Sequence, residues 1–165
     1  MSITLNASLR KEYEQLFDSC VISGKKPEVE AIRAQLVANQ ARYAAVEAQS
    51  GVPWHVTGVF HSLEGGLDFS THLHNGDPLF DNMTSTSAWT LAFMLFKLEG
   101  FNGFGYRTRH PEVLTPYLWS YSNHYTKGKY AADGKFNKNA VSRQCGAATI
   151  LHLMTYEKII DIPRV

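Results

Sequence analysis

Glu64 is the residue whose type and position point most directly to chemistry. It closes a stretch opened by Pro53 in which Val56, Val59, Phe60 and Leu63 recur at helical spacing, and Gly65-Gly66 follows at once. A carboxylate in the last turn of a helix faces the negative end of the helix dipole. That end, together with partial burial beside Leu63 and Phe60, favours the protonated acid. An acid that keeps its proton near neutral pH can protonate a leaving oxygen, the first requirement for cutting a glycosidic bond. The plain alternative is a solvent-facing glutamate at a frayed helix end.

Hydrolysis of such a bond calls for a second carboxylate, as nucleophile or as base for water. Asp68, Asp77 and Asp81 are the candidates. Asp68 lies one turn beyond Glu64 and suits the capping of a loop. Asp77 belongs to Asn75-Gly76-Asp77-Pro78, a turn at which the chain can fold back, and it is taken as the partner of Glu64. Its plain structural use is as a turn residue before Pro78. His72 and His74 would share one face of a strand and, with His61 or Asp77, could ligate a metal. Polar lining of a cleft suits them better, because a firm metal site needs further matched ligands and their supports. Cys145 beside a histidine is a rival nucleophile, placed where a helix start would lower its pKa. Cysteine amidases of that kind carry the histidine on a sheet, whereas this chain reads as helical.

The elements that position these residues follow from periodicity. A short helix is expected over Ser8–Phe17, with a turn at Ser23-Gly24. Pro27 opens a long helix whose apolar stripe is Val29, Ile32, Leu36, Ala41, Ala44 and Ala48, ending at Ser50-Gly51. Pro53 starts the helix that carries Glu64. Polar and turn residues over 67–83 predict an irregular or hairpin segment. Helix returns over Ser87–Glu99, apolar nearly all round as in a central helix. After the glycine-rich loop Asn102-Gly103-Phe104-Gly105, Thr115-Pro116 starts a helix with Tyr117, Tyr121 and Tyr125 on one face, closing near Gly128. A turn at Asp133-Gly134 precedes a last helix over Val141–Ile159.

Two segments carry a resemblance to a known family. Gly58-Val59-Phe60-His61-Ser62-Leu63-Glu64-Gly65-Gly66 resembles the glutamate helix of goose-type lysozymes and lytic transglycosylases. Glu99-Gly100-Phe101-Asn102-Gly103-Phe104-Gly105-Tyr106 resembles their Tyr-Asn-x-Gly signature, and the stretch from Phe69 to Leu79 is similar to small bacterial and phage muramidases of the same superfamily. The likeness covers Pro53 to Tyr130. It departs at two points: the Gly-x-Met-Gln block after the glutamate is absent, and Phe101 stands where a tyrosine is common. The resemblance implies a mainly α, lysozyme-like domain with a small irregular or β-hairpin insertion after the catalytic helix. It implies a muramidase that cleaves the β-1,4 bond between N-acetylmuramic acid and N-acetylglucosamine in peptidoglycan. Glu64 would be the general acid, Asp77 the second carboxylate, and His72, His74, Asn102, Tyr106 and Tyr125 the lining of the sugar subsites, with no cofactor and no metal. Two other activities are compatible with it: a lytic transglycosylase with Glu64 as sole acid/base, and a non-catalytic glycan-binding protein that keeps the fold.

Composition narrows the remaining classes. A length of 165 residues suits a single domain, here residues 1–50 as N-terminal helices packing on a core over 53–160. A net charge of +1 gives no field that would draw nucleic acid, and the longest apolar stretch, Leu91 to Phe96, is far too short to span a membrane. Met1-Ser2-Ile3-Thr4-Leu5 lacks signal-peptide character, so the expectation is a monomer made in the cytoplasm that meets the cell wall after release, as phage lysins do, or by other export. Aromatic residues crowd the second half and supply core, with some free to line a groove for sugar rings. Cys20 and Cys145 are read as two buried free thiols.

Overall fold

The computed structural model describes residues 7–71, 116, 118–130 and 135–162. Helix dominates them: α1 (Ala7–Asp18), α2 (Lys26–Ala38), α3 (Gln40–Ser50), α4 (Trp54–Glu64) and α5 (Ala147–Tyr156). The chain divides into two compact units, Met1–Glu30 with Phe101–Val165, and Ala31–Gly100. No described helix is long and apolar enough to cross a membrane. The expected hairpin tip, central helix and asparagine loop all fall at 72–115, outside the described residues.

In the second unit the expected single helix is broken at Asn39, whose φ of −105° and ψ of 14° leave the helical well. Its side-chain amide donates to the Gln35 carbonyl (2.8 Å), tying off the end of α2. The buried stripe there is Leu36, Tyr43, Val46 and Ser50, while Ala41, Ala44 and Ala48 face solvent. The alanine stripe is thus corrected. An alanine suits either face of a helix, and burial follows the larger apolar area of Tyr43 and Val46. Gly51, at φ 74°, ends α3 with its N–H on the Glu47 carbonyl. Pro53 then sits one position ahead of α4 rather than inside it. The Glu47 carboxylate accepts from Trp54 N (3.1 Å), placing a negative charge at the positive end of α4. Helices α3 and α4 pack closely because position 58 is a glycine. A Cβ there would come within 3.0 Å of Leu36 Cδ2 and 3.3 Å of Tyr43 Cε2. Thr57, His61 and Leu63 complete the buried face of α4.

The first unit joins the ends of the chain. Residues after α1 run antiparallel to 121–124 through an Ile22–Ser122 bridge. Ser23 N donates to the Tyr121 carbonyl (2.9 Å) and Asn123 N to the Val21 carbonyl (2.9 Å). The tyrosine helix expected from Pro116 to Gly128 does not extend that far. Pro116, Leu118 and Trp119 are helical, but Tyr121 adopts φ 71°, which no helix continues through. A short hairpin follows instead, β1 (Lys129–Tyr130) against β2 (Phe136–Asn137), in register Lys129↔Asn137 and Tyr130↔Phe136. The last helix begins at Ala147 rather than Val141, because Gly146 is extended (φ −70°, ψ 149°) and its N–H is given to the Ser120 carbonyl. A Cβ on Gly146 would lie 2.3 Å from the Leu118 carbonyl oxygen. The chain there passes backbone against backbone. Ile150, Leu153 and Met154 bury the inner face of α5.

Candidate active site

Glu64 is the last residue of α4, with a half-buried side chain, as the spacing of apolar residues before it predicts. The chain leaves the helix through a tight reversal. Gly65 N and Leu67 N both donate to the His61 carbonyl (3.0 and 3.2 Å), and Asp68 N donates to the Gly65 carbonyl (3.0 Å). The left-handed residues are Gly66 (φ 58°) and Leu67 (φ 62°) rather than Gly65. A leucine in that region costs about 1 kcal/mol or more and persists only where its surroundings impose it.

His61 supplies much of that surrounding. It is fully buried, and both ring nitrogens are engaged: Nδ1 with the Tyr43 hydroxyl (2.9 Å) and Nε2 with the Asp68 carbonyl (3.0 Å). Burial outweighs the neighbouring Asp68 and pushes its pKa down to about 4, so the ring is neutral at ordinary pH. The Phe69 ring meets it edge-on at 4.7 Å, and Phe69 in turn lies under the Arg42 guanidinium at 4.3 Å. Burial drives the Tyr43 hydroxyl upward, well above the usual phenol range, so it stays protonated as a donor. With both nitrogens committed, His61 is not available to a metal, which removes it from the metal-ligating set considered with His72 and His74.

Asp68 does what a loop-capping carboxylate does. Its Oδ1 accepts from Ser70 Oγ (2.6 Å) and Ser70 N (2.8 Å), and these bonds hold its carboxyl below the ordinary value. Asp68 is therefore a fixed anion four residues beyond Glu64. Asp77, Asp81, His72, His74, Asn102 and Tyr106 lie outside the described residues. Tyr125 lies in the first unit, and its hydroxyl is committed within the chain. It donates to the Gly128 carbonyl (3.1 Å) and accepts from Ser142 N (2.9 Å), which leaves the ring for any contact with a ligand.

Cys145 is a buried thiol, not an activated nucleophile. Burial, reinforced by Cys20, pushes its pKa up to about 12, the reverse of the lowering expected from a helix start. It precedes α5 by two residues and packs inside the first unit, so desolvation outweighs any dipole. Cys20 is likewise buried and raised. Among the described residues, no three His, Cys, Asp or Glu side chains converge as metal ligands.

The one participant that sequence reasoning missed is the Tyr43–His61 pair. Nothing in the spacing relates residues 43 and 61, and His61 reads from the sequence only as a candidate metal ligand beside His72 and His74. No protein-family model matches this chain, and no curated protein or solved structure matches it either.

Proposed function

We propose that this protein is a muramidase, cleaving the β-1,4 bond between N-acetylmuramic acid and N-acetylglucosamine with Glu64 as proton donor. The observation that carries this reading is the setting of Glu64: a half-buried carboxyl on the final residue of a packed helix, followed by consecutive left-handed residues. Backbone held in such conformations is concentrated at functional sites. The resemblance of residues 58–66 and 99–106 to the lysozyme superfamily supplies the substrate class.

Glu64 gives its proton to the bridging oxygen as positive charge develops on the sugar ring, and Asp77 activates or steadies the incoming water. By the same resemblance, His72 and His74, which belong to the same unit of the chain as Glu64, would line the sugar subsites. Asp68, the carboxylate nearest in sequence, spends one oxygen on Ser70. That observation keeps a second mechanism in play, lytic transglycosylation, in which Glu64 alone acts first as acid and then as base.

The test is release of soluble fragments from purified peptidoglycan by wild-type protein and by Glu64→Gln. Glutamine keeps the shape and cannot donate a proton, so the rate falls by about 10²-fold or more. A folded Glu64→Gln protein that clears peptidoglycan at the wild-type rate overturns the assignment. Mass spectrometry of the products separates reducing ends from anhydro-sugars, and hence hydrolase from transglycosylase. Binding without any release identifies a non-catalytic glycan-binding protein.

A further inference from the structure

We infer that Tyr43 and His61 form a positioning unit that fixes the Glu64 carboxyl, by fastening the loop after it back onto α3. The inference rests on the glycosidase reading for its catalytic consequence, and on hydrogen-bond chemistry for its geometry.

The Asp68 carbonyl can only accept, so His61 Nε2 carries a proton and donates to it (3.0 Å). The neutral ring then has Nδ1 as an acceptor, and the Tyr43 hydroxyl is the donor that fills it (2.9 Å). Direction is thereby set along the whole chain, from Tyr43 on α3, through His61 on α4, to the backbone of the loop at Asp68. Glu64 lies between the two ends of this staple, three residues after His61 and four before Asp68. The staple has a second leg, since Gly65 N and Leu67 N both end on the His61 carbonyl. A single residue thus grips the loop by side chain and by backbone.

Two further features belong to the same device. Gly65 leaves room for the ring, because a Cβ there would lie 2.9 Å from His61 Cδ2. Phe69 covers the ring edge-on, and among the described residues the charged groups around the unit are Arg42 on α3 and Asp68 on the loop. A merely apolar residue at 61 would fill the space and break the tie to α4, leaving the Asp68 carbonyl bonded within its own loop to the Thr71 hydroxyl (3.2 Å). Placement errors near 1 Å in a reacting group are enough to cost about 100-fold in rate. His61 therefore acts through Glu64, as a positioning residue that touches no substrate.

The experiment compares wild type, Tyr43→Phe, His61→Leu and His61→Gln on peptidoglycan fragments, with Glu64→Gln as reference. His61→Leu is expected to lose about 10- to 100-fold in kcat with KM within about twofold. His61→Gln, whose side-chain amide can reach the place of Nε2, recovers part of that loss, and Tyr43→Phe falls between. In parallel, 15N spectra of the wild-type imidazole are expected to show the Nε2–H tautomer. If folded His61→Leu keeps wild-type kcat while Glu64→Gln is inactive, the positioning role is overturned and the glycosidase reading stands. If wild type releases no fragments, the glycosidase reading fails, and the tautomer alone decides the staple: Nδ1–H overturns it and Nε2–H upholds it. Should His61→Leu not fold, the kcat of Tyr43→Phe and His61→Gln decides the positioning role by the same criterion.

Discussion

His61 should make the stability of the protein depend on pH in a way that one substitution removes. Its folded pKa of about 4 lies below the ordinary imidazole value of 6.5 because the ring is buried. Above pH 6.5 the ring is neutral in both folded and unfolded chains, and it contributes no slope. Below 6.5 the unfolded chain takes up a proton that the folded protein refuses, so protonation favours unfolding. The loss of stability grows as pH falls from 6.5 towards 4 and then levels off at about 3 kcal/mol. At pH 5.0 it amounts to about 2 kcal/mol. His61→Gln lacks this titration. It is less stable at pH 7.5, having lost the bond to Tyr43, yet it should lose about 2 kcal/mol less than wild type on moving to pH 5.0. His55 and His152, whose values burial also lowers, titrate in both proteins and cancel in the difference. Urea unfolding followed by tryptophan fluorescence reads this as a difference in midpoint shift on the order of 1 M. Equal losses in the two proteins would refute the assignment of a neutral, proton-refusing imidazole at position 61.

Other outcomes follow from single contacts. Gly146→Ala would set a Cβ 2.3 Å from the Leu118 carbonyl oxygen and 2.6 Å from Trp119 N, both backbone atoms that cannot swing aside. A loss of about 3 kcal/mol is expected, visible as a lowered Tm. Gly66→Ala meets nothing within 4 Å and bears only the strain of φ 58°, so its cost should stay near 1 kcal/mol in the same assay. Cys20 and Cys145 should resist a disulfide reagent at pH 8 in the folded protein and react at once in denaturant, since both are buried and Cys145 ionises only near 12. Rapid labelling of native protein would contradict their placement.

The parts of the fold that depend on short-range signals were legible. Helix α1 (Ala7–Asp18) covers the expected Ser8–Phe17, α3 ends at Ser50 before Gly51 as expected, and α4 ends on Glu64 where apolar spacing and Gly65-Gly66 put it. The parts that failed depend on competition between faces or on distant backbone. Alanines at 41, 44 and 48 matched a helical stripe, but Tyr43 and Val46 offered more area to bury and took the core. Tyr117, Tyr121 and Tyr125 also matched a helix face. The bonds that Tyr121 and Asn123 make to residues 21–23 hold that segment beside the extended residues after α1 instead. The place of Glu64 at a helix end was legible because it rests on local spacing and on the glycines that follow. The histidine that fastens its loop was not, because the partners of His61 are a tyrosine eighteen residues earlier and a carbonyl, and carbonyls carry no sequence signal.

The docking of residues 16–23 on 119–124 has a consequence for how the chain matures on the ribosome. Ser19 and Leu16 meet His124, the Asn123 side chain bonds Val21 N and the Ser19 carbonyl, and Ile22 pairs with Ser122, all across roughly a hundred intervening residues. Closing a loop that long costs entropy before any contact repays it. Helix α1 precedes α2, α3 and α4 in the chain, yet the segment 119–124 on which its end docks is made after all three. Through most of translation it must wait as a short amphipathic segment without a surface to lie on, and a nascent chain halted before Trp119 would leave it exposed to proteases and to other chains.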